Sequence, residues 1–364
     1  MSSASGETHR NSRIPYFDNM KFVLISLVVL GHALALVSDR SHLASALLNF
    51  IYLFHMPVFV FISGLLAGNS YKEGKNGLNA NRVVGFFILY FLIYSAFWLI
   101  GVAADREWAY NPFYTNSLAW YMLSMAWWTL SIPFVSKFGL LRASTIGVAF
   151  SLIIGFFDQF SGFLALSRTI VFAPFFFLGY FIGPARCLKY MRRIRRNFGF
   201  VISAIAIMTI FFAITFVYAE AANDFHKLAV GYNSYEEIGG VFSNVDSAFL
   251  GRLLFYAVAC ILGACFIVLI PQDKTPFTFL GQRTLAVYSL HALILNIGTW
   301  VLHLDLPLAE FSSPIALIIL FAISALLTIG LSWRPISKPF AIVMNARYIN
   351  RKDDWGTGLN RLLP

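Results

Sequence analysis

Long apolar runs separated by short polar segments dominate the sequence. Ten of these runs approach or reach the roughly 17 to 25 residues that a helix needs to cross a bilayer. They lie near residues 19–37, 47–68, 83–102, 118–135, 142–157, 168–183, 198–219, 248–270, 284–302 and 313–331. The fifth and sixth runs are short, which predicts tilted, broken or partly interfacial helices. The pattern predicts an all-α polytopic membrane protein with about ten transmembrane helices and with both termini on the same side.

Composition supports this class. Of the 364 residues, 59% are hydrophobic and 12% are charged, and the mean hydropathy is +0.71. Soluble domains carry about one quarter charged residues. We therefore predict a disordered N-terminal tail at 1–13 and one membrane domain at 14–335 with an outer loop at 220–247. A cytoplasmic C-terminal tail is predicted at 336–364.

The positive net charge of +10 follows the predicted topology. With the N-terminus in the cytoplasm, all but five of the 27 Lys and Arg residues fall on the cytoplasmic side, and this bias sets orientation in membrane proteins. The five on the outer side are Arg40, Arg106, Arg168, Lys227 and Arg252. The charge therefore indicates orientation and predicts no nucleic-acid partner.

The spacing of the three cysteines predicts neither a disulfide framework nor a metal site. Cys187, Cys260 and Cys265 have neither the spacing of a disulfide framework nor that of metal ligands. Cys260 and Cys265 lie in an apolar run, where cysteine commonly packs as a small apolar side chain.

The first apolar run carries ionisable residues on one helical face. At about 100° per residue, Lys21 and His32 fall within roughly 20° of each other, and Asp18 lies about 40° from His32. The rise per residue places Lys21 and His32 roughly 16 Å apart. An ionisable group in an apolar spanning segment marks a candidate functional site. His32 is the main candidate, because imidazole titrates near neutrality and serves as a general base toward a hydroxyl.

A second histidine reaches a similar depth from the other side of the membrane. His55 lies some eight residues, roughly 12 Å, into the second run, so it can meet His32. The alternative is that both are buried histidines bonded to backbone carbonyls, and the neighbouring Pro57 favours a structural part for His55. Whether a histidine here would act as a base or as a nucleophile is left open by the sequence.

Cations at the cytoplasmic mouths of two runs are candidate phosphate ligands. Lys21 and Arg82 could hold the phosphates of coenzyme A. Anchoring to lipid headgroups under the positive-inside rule is the alternative. Ser63 and Gly64 would allow close approach of a ligand or, more commonly, of another helix.

Several other polar and aromatic residues have two interpretations. The outer loop contains His226, Tyr232 and Tyr235, and its length fits either a sugar-binding lid or a solvated linker. Trp120, Trp127 and Trp128 fit either sugar stacking or an interfacial belt. His291 is expected to be a packed histidine. Triad logic would require a carboxylate to orient His32, but none lies inside an apolar run and Asp18 is too far away. Asp246, at the outer end of the eighth run, is a geometric candidate.

Two motifs at the start of the chain resemble a known family. FDNMKFVLISLVVLGH resembles the opening of the membrane acyltransferase-3 family, in particular the branch similar to fucose 4-O-acetylases. In members of this family, the first helix carries an Arg or Lys that is followed, after ten intervening residues, by a His. FIYLFHMPVFVFISGLLAG at 50–68 resembles the second helix of the family. WYMLSMAWW, RTIVFAPFFFLGYFIG and GQRTLAVYSLHALI resemble later segments in the expected order.

This resemblance implies a membrane O-acyltransferase, and an O-acetyltransferase in particular. The donor would be cytoplasmic acetyl-CoA or another acyl-CoA, and the acceptor a hydroxyl of a sugar or polysaccharide. His32 and His55 would be catalytic, and Lys21, Arg82 and Asp18 would bind the donor. No metal would be needed, since a thioester is already activated.

The resemblance also has limits. The family often shows R-x-x-R after the second helix, whereas Asn79 lies three residues before Arg82 here.

The location that the resemblance implies is the plasma or inner membrane, with lipids as partners. The alternative is a polytopic transporter or an export-machine subunit for a sugar-containing substrate. A carrier often shows inverted repeats, which we do not detect in the sequence.

Overall fold

The computed structural model describes residues 13–73, 78–305, 311 and 313–348. Apart from Arg13, the predicted N-terminal tail lies outside these residues. The described residues form thirteen α-helices and no β-strand. In order these are α1 (Pro15–Leu34), α2 (His42–Tyr52), α3 (His55–Glu73), α4 (Ala80–Ala103), α5 (Trp120–Val135), α6 (Gly139–Ile153), α7 (Leu166–Arg195), α8 (Phe198–Val217), α9 (Ala219–Val230), α10 (Val245–Leu269), α11 (Thr284–Asn296), α12 (Ser313–Leu331) and α13 (Arg334–Asn345).

All ten predicted runs coincide with helices, which confirms the all-α polytopic class. Among the described residues, nine helical segments are long and apolar enough to cross a membrane, with α2 and α3 counted as one. The remaining predicted run is α5, which has 16 residues. Most of its side chains are buried against neighbouring helices. A helix enclosed by protein does not have to match the thickness of the lipid, so α5 can be short.

The second predicted run is two helices. It begins earlier than expected, at His42, and is interrupted at Leu53 and Phe54 between α2 and α3. Pro57 accounts for the break, because proline has no N–H to donate to the carbonyl of Leu53 and its ring clashes with that carbonyl. The interpretation of 47–68 as one continuous helix is therefore wrong.

The sixth predicted run is the first part of a longer helix. α7 has 30 residues and contains a kink at Gly183, which has φ +70° and is followed by Pro184. Glycine adopts positive φ without steric cost, and proline favours an extended residue before it. Beyond the kink, α7 continues through the basic segment as far as Arg195, whose guanidinium donates to the carbonyl of Ile270.

The outer segment 220–247 is folded onto the bundle. It starts with α9 and is attached by a hydrogen bond from the Ser167 hydroxyl to the Gly231 carbonyl, 2.8 Å. Tyr235 is buried and donates to the carbonyl of Leu152, 2.9 Å. A solvated linker is thus excluded for these residues.

At the other end of the chain, α13 packs against α4 and α11 and extends the folded part into the segment that the sequence predicts as a tail.

The helices α3 and α7 approach each other closely. A Cβ atom at Gly64 of α3 would overlap the carbonyl of Phe176, and one at Gly179 of α7 would overlap the carbonyl of Phe61. The two glycines therefore let the helix backbones touch, as small residues do between membrane helices. Gly64 serves helix packing, whereas the adjacent Ser63 lines a cavity described below.

We expect Gly64→Ala to destabilise the protein by about 1–3 kcal/mol, since overpacking must separate two backbones. The measurement is the melting temperature in detergent. Gly330→Ala is the matched control, because Gly330 lies in α12 and has nothing within 4 Å of its Cβ position. An equal effect of both substitutions would contradict the proposed contact.

Candidate active site

Polar side chains from six helices meet in a cavity of about 160 Å³. We call it the histidine cavity. Its polar lining includes His32 of α1, Tyr52 of α2, His55 of α3, Arg168 of α7, His226 of α9 and Tyr288 of α11. The structure therefore brings together the two histidines that the sequence singled out, and adds further groups to them.

His32 lies near the end of α1 beside two aromatic neighbours. Its ring centroid is 5.2 Å from that of His291. The preceding residue is Gly31, where a Cβ atom would lie 3.2 Å from the Tyr52 ring. Glycine at this position therefore lets Tyr52 pack against α1 next to His32.

His55 begins α3, directly after the helix break. Its Nδ1 is 2.8 Å from the carbonyl oxygen of Ile51. A carbonyl only accepts, so Nδ1 carries the proton, and Nε2 of the neutral ring is an acceptor. The side chain thus supports the interrupted backbone and keeps one nitrogen available as a base. Both interpretations of His55 are compatible with this geometry.

His226 enters the cavity from the folded outer segment. It stacks on Tyr52 with 4.2 Å between ring centroids, and Tyr52 also contacts His55 at 4.6 Å. Burial lowers the pKa of His226 from 6.5 to about 4. The imidazole is therefore neutral at pH 7, as expected where no acid compensates its charge.

His291 is packed, as the sequence predicts, but its neighbour is His32. The side chain is fully buried, and Nδ1 lies 2.8 Å from the carbonyl of Val287, so Nδ1 carries the proton. Its Nε2 has no hydrogen-bond partner among the described residues. An acceptor nitrogen is thus left beside the His32 ring.

Arg168 was missed by the sequence reasoning. The topology count places it and Arg252 among the outer-side charges, yet Arg168 is 8% exposed and Arg252 is fully buried. Both arginines are therefore buried in the protein, which the topology count by itself does not reveal. The signal was an arginine at the mouth of an apolar run with no acidic residue near it, which usually marks a wet interior site.

The expected carboxylate partner of His32 is not in this part of the site. Asp246 is exposed in the first turn of α10, and the described residues lining the histidine cavity include no Asp or Glu. The described residues also contain no cluster of His, Cys, Asp and Glu fit for a metal ion. No carboxylate among the described lining residues is therefore placed to orient His32.

The three tryptophans have different surroundings. Trp120 lines the histidine cavity and stacks on Phe172 with ring centroids 5.5 Å apart. Trp127 donates from its indole N–H to the Leu164 carbonyl, 3.3 Å, and Trp128 donates to the Thr169 carbonyl, 2.9 Å. Trp120 is thus placed to contact a ligand, whereas the other two join α5 to the chain near α7.

A second cavity, of about 570 Å³, lies on the other side of the bundle core. We call it the basic cleft. Arg13, Lys21, Arg82 and Arg283 all line it. Lys21 and Arg82 thus line the same cleft as two further arginines. The sequence paired them only through their position at the helix mouths.

Asp18 and Asn79 support these cations. The Lys21 ammonium lies 2.7 Å from the Asp18 carboxylate, whose residue is buried. Asn79 is the N-cap of α4, and its side chain accepts from the Arg82 backbone N–H at 3.1 Å. The asparagine that departs from the R-x-x-R spacing thus begins the helix that carries Arg82.

Tyr288 separates the two cavities. It lines both, and its hydroxyl donates to the carbonyl of Leu118. Its ring is 5.2 Å from Tyr121, whose hydroxyl is 2.6 Å from that of Ser63. The basic cleft and the histidine cavity thus approach each other from opposite sides of one aromatic ring.

Comparison with known proteins agrees with this arrangement. The model of the family described as an acyltransferase domain matches residues 14–333. Nodulation protein NolL of Sinorhizobium fredii (strain NBRC 101917 / NGR234) is 41% identical over 91 residues. The match covers 24% of this chain and 24% of that curated relative. No solved structure matches the chain significantly.

The environment of His226 predicts a pH dependence of stability. Because burial lowers its pKa to about 4, the unfolded chain binds a proton on His226 at pH values where the folded protein does not. Stability present above pH 6.5 is therefore lost as the pH falls toward 4. We expect His226→Gln to show a smaller drop in melting temperature between neutral pH and about pH 4.5 than the wild type.

The control for this measurement is His42→Gln, since His42 is exposed. That variant should keep the full pH dependence of the wild type. If His226→Gln keeps it as well, the imidazole is not held neutral in the folded protein.

Proposed function

Because the chain belongs to the acyltransferase domain family, we propose that this membrane acyltransferase moves an acyl group from acyl-CoA to a hydroxyl of a sugar or polysaccharide. Acetyl is the proposed acyl group. The observation that carries the proposal is that a basic cleft and a cavity with three histidines meet at Tyr288. A donor with phosphates and an acceptor with a hydroxyl would each find a suitable environment on one side of that ring.

The donor would bind in the basic cleft. Coenzyme A carries several phosphate charges, and Lys and Arg side chains form strong charge-assisted hydrogen bonds with phosphate oxygens. Arg13, Lys21, Arg82 and Arg283 supply four cations. In this proposal Asp18 holds Lys21 in place through their ion pair and does not itself contact the negatively charged donor.

The reach of the donor supports the same assignment. Lys21 and His32 are eleven positions apart on the single helix α1, which gives roughly 16 Å along its axis. An extended pantetheine arm spans such a distance. The phosphates can thus stay at the mouth of the cleft while the thioester approaches Tyr288 and the histidine cavity.

His32 would act as the general base. It takes the proton of the acceptor hydroxyl as the oxygen attacks the thioester carbonyl carbon, so that a C–O bond forms and the C–S bond breaks. The proton then passes to the departing thiolate, which leaves as free coenzyme A. A positioned base contributes about 10²–10⁴-fold to such a step.

His55 and Trp120 would hold the acceptor. With Nδ1 bonded to Ile51, Nε2 of His55 is an acceptor for a hydroxyl of the sugar. The indole of Trp120 offers an apolar face in the same cavity. The acceptor would enter from the outer side beside α9, so only the acyl group would cross the membrane, which we propose is the plasma or inner membrane.

The experiment uses sealed vesicles of known orientation, with acetyl-CoA on one side and an impermeant glycan on the other. Fucose-containing oligosaccharides are tested first, because the first two motifs resemble fucose 4-O-acetylases. We expect acetylated glycan, detected by mass spectrometry, when the donor is on the Lys21 side and the glycan on the opposite side. His32→Ala should lower this rate by at least 10²-fold.

Two results would contradict the proposal in different ways. Acetylation only when donor and glycan share the Lys21 side would refute transfer across the membrane and leave His32 supplied from within. No His32-dependent release of coenzyme A with any acceptor, including water, would favour a transporter or an export subunit without acyl transfer.

The donor site gives a separate kinetic prediction. We expect Lys21→Ala and Arg82→Ala to raise the KM for acetyl-CoA roughly 10- to 100-fold with kcat largely unchanged, as loss of a charge-assisted hydrogen bond costs about 1.5–3 kcal/mol. The measurement is coenzyme A release against donor concentration.

Lys189→Ala is the control, because Lys189 is an exposed lysine of α7 that does not line the basic cleft. It should keep the wild-type KM. A loss confined to kcat in Lys21→Ala or Arg82→Ala would place these residues at the chemistry instead of at the phosphates.

A further inference from the structure

Arg168 is a buried cation beside the proposed base. It is 8% exposed and lines the same small cavity as His32 and His55. We propose that Arg168 is a catalytic residue that binds the negatively charged oxygen formed on the acyl carbon during transfer. This inference rests on the proposed function and adds to it the group that stabilises the transition state.

Aromatic rings and one amide hold the guanidinium in place. The Arg168 guanidinium carbon lies 5.2 Å from the centroid of the Trp120 ring and 5.0 Å from that of Tyr232. Its Nη2 donates to the side-chain oxygen of Asn116 at 3.1 Å. Ring faces attract a cation without consuming its N–H donors. The group is therefore fixed, while most of its in-plane donors stay unused.

The charge has no acidic partner in the cavity. The described lining residues include no Asp or Glu, and Nε of Arg168 is buried without a hydrogen-bond partner among the described residues. Burial raises the pKa of Tyr232, so this phenol is neutral at pH 7 and provides no counter-charge. An arginine remains protonated in proteins, so the site carries a full positive charge that a negatively charged ligand or intermediate would compensate.

The reaction supplies that negative charge at the right place. When the hydroxyl oxygen bonds to the thioester carbon, the carbonyl electron pair moves to the carbonyl oxygen, which becomes an oxyanion. When the C–S bond breaks, the pair returns and the carbonyl forms again. Arg168 donates N–H bonds to this oxygen and does not lose its proton.

The two groups share one cavity. His32 and Arg168 both line the histidine cavity of about 160 Å³, so a thioester carbon attacked beside His32 would lie in the space that Arg168 also lines. Donors fixed in advance at a developing oxyanion typically contribute 10²–10³-fold to kcat. Arg168 thus meets the requirement for an oxyanion site in position, charge and rigidity.

The experiment measures hydrolysis of acetyl-CoA with no sugar present, so that water takes the place of the acceptor. We expect Arg168→Gln to lower kcat for coenzyme A release by 10²–10³-fold with the KM for acetyl-CoA unchanged. Arg168→Lys keeps the positive charge but lacks the planar guanidinium, so its kcat should lie between that of Arg168→Gln and that of the wild type. It also serves as the second variant if Arg168→Gln does not fold.

Arg252→Gln is the matched control. Arg252 is also fully buried, lies 5.5 Å from the centroid of an aromatic ring, that of Tyr235, and has Nε and Nη1 without partners among the described residues. It is not among the residues that line the histidine cavity. Its loss should lower the melting temperature while kcat per folded molecule stays at the wild-type value.

Three outcomes would overturn the assignment of Arg168. The first is that both Arg168 variants hydrolyse acetyl-CoA within threefold of wild type. The second is a loss seen only as a raised KM for a sugar acceptor, which would make Arg168 a ligand for an anionic sugar. The third is an equal kcat loss in Arg252→Gln. Absence of His32-dependent coenzyme A release in the wild type with every acceptor, water and sugars alike, would instead refute the proposed function itself.

Discussion

The structure depends on placing polar and charged groups inside an apolar helical bundle, where water cannot compensate them. Each such group needs a partner within the protein, or its burial costs free energy. The break between α2 and α3 illustrates the constraint. Pro57 removes a backbone hydrogen bond, and the His55 side chain binds the Ile51 carbonyl at the same place. The break in the helix and a candidate site residue thus lie next to each other.

Two buried arginines contact aromatic rings, whereas buried arginines usually pair with carboxylates. Arg168 lies between Trp120 and Tyr232, and Arg252 lies beside Tyr235. Cation–π contacts compensate part of a buried charge without neutralising it, and they leave the N–H donors free for a ligand. A carboxylate in the histidine cavity would form an ion pair with Arg168 and remove the positive charge from the reaction. The aromatic surroundings therefore preserve the electrostatic property that the proposed chemistry requires.

The division of the interior into two cavities follows from helix packing. Gly64 and Gly179 allow α3 and α7 to touch, and Arg168 of α7 and His55 of α3 line the same cavity. Tyr288 of α11 fills the space between the basic cleft and the histidine cavity. Among the described lining residues, Tyr288 is the one that the two cavities share.

The sequence by itself determined the all-α class, the position of all ten apolar runs and the presence of ionisable residues on one face of α1. These follow from local rules, because the lipid core demands long apolar helices and because side chains at fixed spacing share a helical face. The sequence also identified His32, His55, Lys21 and Arg82, since charged groups within or beside apolar runs are rare.

Only the tertiary structure decided which of these residues meet. Arg168, His226 and Tyr288 lie far from His32 in the sequence, and no spacing rule connects them. Their place in the histidine cavity depends on how α7, α9 and α11 pack, and on the fold of the outer segment. Local patterns determine where polar groups enter the bundle, whereas the contacts that compensate their burial belong to the packed structure as a whole.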